Sequence, residues 1–243
     1  MKIIRGIHSA YTFLVFVVLF FIFFPLLGIP IAFRSQHHLV GAINRWWARF
    51  FFGISLFPFK TEYRFKPQKG QSYIFCPNHF SYLDIPTMGL NKVNTIFVGK
   101  NDMENIPVFG YMYHTLHITV NRSSYRSRAR SLEKAREAIR DGFNLGFFPE
   151  GGIRLSKYPE MVEFKDGAFK VAAENNIPIV PITMPDNYKI LPDDDLLNIR
   201  RKTCHIIFHE PIWPSGDTDD DVKKLRTEVF RVIQKELNNR KAD

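Results

Sequence analysis

"FCPNHFSYLD", residues 75–84, decides how the chain is read. Its first residues close a strand-like apolar run at 72–76, and Pro77, with no N–H to offer a ladder, ends it. A histidine and an aspartate follow, five positions apart. On a continuous helix of ~3.6 residues per turn, side chains five apart diverge by about 140°. His79 and Asp84 therefore meet only if His79 stands in a turn before the helix begins and Asp84 reaches back from the first helical turn. A strand passing through such a turn into a helix is the repeating element of α/β proteins.

The same alternation continues outward. Short apolar runs predict strands at 62–65, 72–76, 95–98, 117–120, 145–148, 177–182 and 203–208. Between them, 127–142 carries Leu132, Ala135 and Ile139 on one helical face and stops at Asp141-Gly142. Further helices are expected at 164–174 and at 219–238, where Val222, Leu225, Val229, Val232 and Ile233 line one side and acidic residues precede them. A chain of 243 residues can bury one such core, so we expect a single α/β domain over 61–243, a mixed central β-sheet flanked by helices.

Residues 1–60 differ in character. Many of the 24 phenylalanines crowd here, and no charged side chain occurs from Ser9 to Phe33, while Lys2 and Arg5 precede the run and Arg34 follows it. Pro25, Gly28 and Pro30 argue against one unbroken rod. Tyr11 to Phe24 alone would span about 21 Å, enough to enter one leaflet. Residues 36–59 read as an interfacial helix, with Trp46 and Trp47 at headgroup depth and Arg45 and Arg49 facing phosphates. The expectation is a membrane-embedded helical hairpin entering from the cytoplasmic side. A transmembrane anchor, a cleaved signal peptide and a buried core helix are the alternatives.

The 33 Lys and Arg exceed the 24 Asp and Glu, giving a net charge of +9 that favours anionic partners. The charge is dispersed and no recognised nucleic-acid module is present, so nucleic acid is not expected. Cys76 and Cys204 lie far apart, without disulfide or zinc-site spacing. His205 and His209 share a strand face but lack an evident third ligand, and no metal is expected.

Three constellations carry chemistry. His79 with Asp84 has the form of a general base and its orienter, although Ser81-x-x-Asp84 also has the form of a helix cap. "FFPEGGIRLS", 147–156, is a strand entering a glycine turn, where free backbone N–H groups and Arg154 suit an anion. Lys100 and Arg122 bracket a third, apolar stretch.

Asn78-His79-x4-Asp84 comes first, then Lys100 through Gly110 to Asn121-Arg122, then Phe148-Pro149-Glu150-Gly151 with Arg154, then Ile177-Pro178-Ile179-Val180-Pro181. In that order these closely resemble the four motif blocks of the glycerolipid acyltransferase family, best known for its 1-acyl-glycerol-3-phosphate acyltransferases. The resemblance covers roughly residues 70–185. It implies that His79, held by Asp84, draws the proton from a hydroxyl of lysophosphatidate, which attacks an acyl thioester to give phosphatidate. Acyl-CoA or acyl-acyl carrier protein would be the co-substrate, with no cofactor. Lys100, Arg122 and Arg154 would hold the phosphate, Glu150 and Gly151 would shape the glycerol pocket, and Asn78, Ser81 and Gly110 would also contact substrate. Two departures stand out: the arginine after Glu150-Gly151 comes one residue later than the usual pattern, and Asn121 replaces a common aspartate.

Glycerol-3-phosphate, another lysophospholipid or an acylated amino-acid lipid is an alternative acceptor. A hydrolase of the α/β type would show a G-x-S-x-G elbow, which is absent from the sequence. A non-catalytic binder of anionic lipid would not need His79.

Overall fold

The computed structural model describes residues 2–153 and 158–240. Seven strands form one sheet in the order β1-β7-β6-β2-β5-β3-β4. They are β1 (Phe59–Tyr63), β2 (Ile74–Pro77), β3 (Thr95–Lys100), β4 (Ile118–Val120), β5 (Asn144–Phe147), β6 (Ile179–Thr183) and β7 (Cys204–Phe208). Every neighbouring pair is parallel except β6 with β7, so β1 and β7 run against the other five and the sheet is mixed, as expected. All seven expected strands form; β1 begins three residues before its expected start.

The helices are α1 (Lys2–Ala32), α2 (Leu39–Ile54), α3 (Asp84–Met88), α4 (Phe109–Leu116), α5 (Tyr125–Arg140), α6 (Gly167–Glu174), α7 (Asn187–Ile190) and α8 (Asp219–Asn239). Side chains in a strand alternate faces, and β2 shows what each face meets. Ile74 and Cys76 enter a core built with Ala135, Ile139, Phe169, Val229 and Ile233 of α5, α6 and α8. Phe75 enters the opposite core, where Val15, Leu19, Ala48, Phe51 and Phe52 of α1 and α2 close over Val180, Ile206 and Phe208. The N-terminal helices therefore form one of the two layers covering the sheet.

The prolines do not divide α1. It runs unbroken for 31 residues with Pro25 and Pro30 inside it, about 46 Å at ~1.5 Å per residue. A proline costs a hydrogen bond, but burial of Leu27 against Val40, Met112 and Leu116 holds this half of the helix in place. With α2 it makes an antiparallel hairpin, tied where Tyr11 donates to the Ile54 carbonyl at 2.9 Å. Its attachments continue along its length: Arg5 donates to Asn198 at 3.3 Å, Ser9 accepts from the Ile199 N–H at 3.1 Å, Phe20 packs on Phe109, and Arg34, just beyond the helix, pairs with Asp141 at 3.0 Å. Only 22% of the apolar window is buried, so one side of the helix packs on the domain and the rest is exposed. Ile3, Phe13, Leu14, Phe21 and Ile22 point outward.

Two details of α2 correct the interfacial reading. Arg45 turns inward and donates to the Asn91 carbonyl at 2.8 Å, and Trp47 packs between Phe16 and Phe51. Trp46 stays exposed, with the Arg49 guanidinium over its ring.

Candidate active site

The parallel strands β2, β3, β4, β5 and β6 end at one edge of the sheet, the edge where open α/β sheets place ligands. The chain leaving β2 makes a tight turn from Asn78 to Leu83, and α3 begins at Asp84. His79 therefore stands before the helix. Its Nδ1 lies 3.0 Å from Asp84 Oδ2, with the imidazole 11% exposed and the carboxylate fully buried. Because the carboxylate accepts, Nδ1 carries the proton and Nε2 keeps its lone pair.

The same oxygen of Asp84 accepts the Phe80 and Ser81 N–H groups at 2.8 and 2.9 Å, and Ser81 Oγ accepts the Leu83 N–H at 3.1 Å. Asp84 thus organises the turn and orients the imidazole at once, so the capping and catalytic readings are not exclusive. Phe148, just past β5, stacks on His79 with centroids 4.0 Å apart. Glu150 is buried and accepts the His79 backbone N–H at 2.7 Å. Buried beneath the turn, the Cys76 thiol is pushed well above its ordinary value by desolvation.

The remaining expected residues divide. Arg122, after β4, donates to the Gly151 carbonyl, which joins the second and third constellations. Gly151 has φ +80°, a conformation glycine adopts freely, and the end of the Lys165 side chain crosses close over it. Lys165 is held there by its own N–H, which donates to the Pro149 carbonyl at 2.9 Å. Asn121 bonds locally: its side-chain oxygen accepts from the Ser123 N–H at 3.1 Å, a turn that aspartate would also make.

Asn78 and Ser81 were expected at substrate. Both are instead fully buried and bonded to backbone: Asn78 donates to the Met184 carbonyl and accepts its N–H, and Ser81 donates to the Leu191 carbonyl. They hold the turn against β6 and the segment after α7. Glu150 likewise serves His79 and the Val162 N–H rather than lining an open pocket. Lys100 is exposed and paired with Asp102. Gly110 lies in α4 against the Glu104 backbone, where a β-carbon would clash. Arg154 lies outside the described residues.

Sequence reasoning missed Phe148 as a ring under the imidazole, although the aromatic directly after a strand was visible. It also missed Lys165 and Asn187. Asn187 donates to Asp84 Oδ1 at 2.8 Å across 103 residues of chain, a separation that leaves no local signal.

The family model described as Acyltransferase matches residues 60–185. A chloroplast 1-acyl-sn-glycerol-3-phosphate acyltransferase of Brassica napus is 31% identical over 187 residues, covering 75% of this chain and 52% of its own length. The 1-acyl-sn-glycerol-3-phosphate acyltransferase of Haemophilus influenzae is 28% identical, covering 82% of this chain and 81% of its own. The chain thus spans about half the length of its plant relative and most of the bacterial one. The crystal structure of the 1-acyl-sn-glycerophosphate acyltransferase PlsC of Thermotoga maritima superposes with a TM-score of 0.81 at 19% identity, covering 100% of this chain and 99% of that one. At that identity the likeness concerns the fold.

Proposed function

The chain belongs to the acyltransferase family, and from that premise we propose that it moves a fatty acyl group from a thioester to the sn-2 hydroxyl of lysophosphatidate, giving phosphatidate. The relatives' names support the acceptor, and the observation that carries the chemistry is the imidazole clamped at Nδ1 by a buried carboxylate. Nε2 of His79 takes the hydroxyl proton as the oxygen attacks the thioester carbonyl. The tetrahedral intermediate collapses, the C–S bond breaks, and the departing thiolate takes the proton back from His79. No acyl-enzyme forms. Arg122 and Lys165, converging on Gly151, supply positive charge for the acceptor phosphate, and Arg154, three residues after Gly151 in the sequence, is proposed to add to it. The basic chain suits either coenzyme A or acyl carrier protein as donor carrier.

The exposed apolar side of the helical hairpin supports membrane association, which we read as in the plane of the bilayer and from the cytoplasmic face. A helix bound to the α/β domain from Arg5 to Leu27 cannot cross a ~30 Å core without carrying the domain in with it. Lying flat, it presents its outward Ile and Phe side chains to one leaflet.

The test is transfer of labelled acyl chain to lysophosphatidate by membranes carrying wild type or His79→Ala at matched expression. A loss of about 10²–10⁴-fold is expected. Undiminished transfer by His79→Ala overturns the mechanism; wild type active only on another acceptor overturns the substrate.

A further inference from the structure

We infer that Asn187 is a positioning residue for the His79–Asp84 pair, holding the carboxylate by its second oxygen so that the first stays aimed at the imidazole. The inference rests on the reading of His79 as general base. Oδ2 of Asp84 is already shared among His79 Nδ1, Phe80 N and Ser81 N. Oδ1 receives Asn187 Nδ2 at 2.8 Å. Asp84, Asn187, Thr87 and Cys204 are each 0% exposed, so this oxygen depends on protein donors.

The donor count leaves the amide one orientation. Thr87 Oγ1 gives its only proton to the Leu83 carbonyl at 2.7 Å and therefore accepts from Asn187 Nδ2 at 3.0 Å. The other Nδ2 proton goes to Asp84. The Cys204 thiol donates to Asn187 Oδ1 at 3.1 Å, and burial, aided by the Asp84 and Asp186 charges, keeps that thiol protonated by pushing it up to about 12. A flipped amide would set acceptor against acceptor at Asp84 and donor against donor at Cys204. The chain of contacts thus runs from β7 through the start of α7 to α3 and the catalytic turn.

The chemical role follows. An amide N–H on Oδ1 draws off part of the carboxylate charge, which keeps the imidazole from holding its proton too tightly. It also stops the carboxylate from rotating away from the ring plane. Asn187→Leu fills the same space without a donor. It should lower kcat about tenfold or more with little change in KM for lysophosphatidate, and move the acid limb of the pH–rate profile to higher pH.

Asn187→Asp is the second variant. Two buried carboxyl groups side by side share one proton, so a donor to Asp84 survives at neutral pH. This variant should stay within about threefold of wild type near pH 7 and lose activity on the alkaline side. It carries the test if Asn187→Leu does not fold, as judged by circular dichroism. The full-length chain is assayed in membranes with an acyl-CoA, lysophosphatidate and His79→Ala in parallel. His79→Ala active as wild type removes the premise. His79→Ala inactive, with Asn187→Leu matching wild type in kcat and pH profile, overturns the inference. So does an equal loss in both Asn187 variants without a shift of either limb.

Discussion

Glu150 accepts the backbone N–H of His79 inside the protein, and Phe148 stacks on the ring at an inclination of 29°. Neither touches the reacting hydroxyl in the proposed mechanism, yet both set where the imidazole stands. Glu150→Ala leaves a buried N–H without its acceptor and should cost about 1–3 kcal/mol, read as a lower thermal midpoint together with reduced transfer. Glu150→Gln keeps an acceptor oxygen and should unfold closer to wild type. The His79–Asp84 relation was legible in the sequence because five residues and one proline define the turn. The parts played by Asn78, Ser81 and Asn187 were not. Each is a long-range bond between the turn and β6, α7 or the segment after α7, and a linear pattern holds no record of which distant backbone group a buried amide or hydroxyl will meet. Asn78 and Ser81, polar residues in a motif, read as ligand contacts, whereas both are buried and bonded to backbone, and Asn187 gave no signal at all.

Among the elements, strands in the sheet interior were easiest to read, since β2 and β6 are buried on both faces and appear as apolar runs. The edge strand β1 is largely exposed, with no alternation to mark its start, and its expected position slipped toward the chain's C-terminus. The short helices α3, α4 and α7 complete too few turns for a periodic signal. Long helices carry their signals at their ends: Thr218 accepts the Asp221 N–H at 3.2 Å at the start of α8, and Ser124 accepts from Ser127 at the start of α5. Thr218→Ala should destabilise the fold by about 1 kcal/mol, measured by urea unfolding. Gly110→Ala should be more damaging, about 1–3 kcal/mol, because its methyl group meets the Glu104 backbone, which cannot swing away as a side chain could. That loss would identify Gly110 as a packing residue of α4 rather than a substrate contact.

For the whole molecule, two histidines tie stability to pH. His209 is pushed down to about 4 by burial with the Arg64 charge adding, and it donates to Thr183 while accepting from Arg64. His117 is pushed down to about 4 by burial with the His37 charge adding, and it accepts the Phe97 N–H. Unfolded, each takes up its proton near the ordinary imidazole value of 6.5, so the stabilisation is complete above that pH and is lost as pH falls toward about 4. The urea midpoint at pH 5 should therefore lie below that at pH 7. A double substitution of outward residues, Phe13→Lys with Phe21→Lys, should weaken binding to phospholipid vesicles while leaving the circular dichroism spectrum unchanged. If vesicle binding is unaltered, the in-plane placement of α1 is wrong. The hairpin proposed to meet lipid on one side also covers Phe75, Val180, Ile206 and Phe208 on the other, and that double duty bears on how the protein is made. Phe52 leaves the ribosome about 150 residues before Phe208, and at roughly 5–20 residues per second the hairpin waits some 8–30 seconds for the last strand it will cover. Until then the side that faces the sheet lacks part of its cover, Ile206 and Phe208 last of all, and the bilayer surface offers an apolar medium in their place. The membrane would then act as a temporary stand-in for the sheet, and synthesis in the absence of lipid should yield aggregated rather than soluble protein.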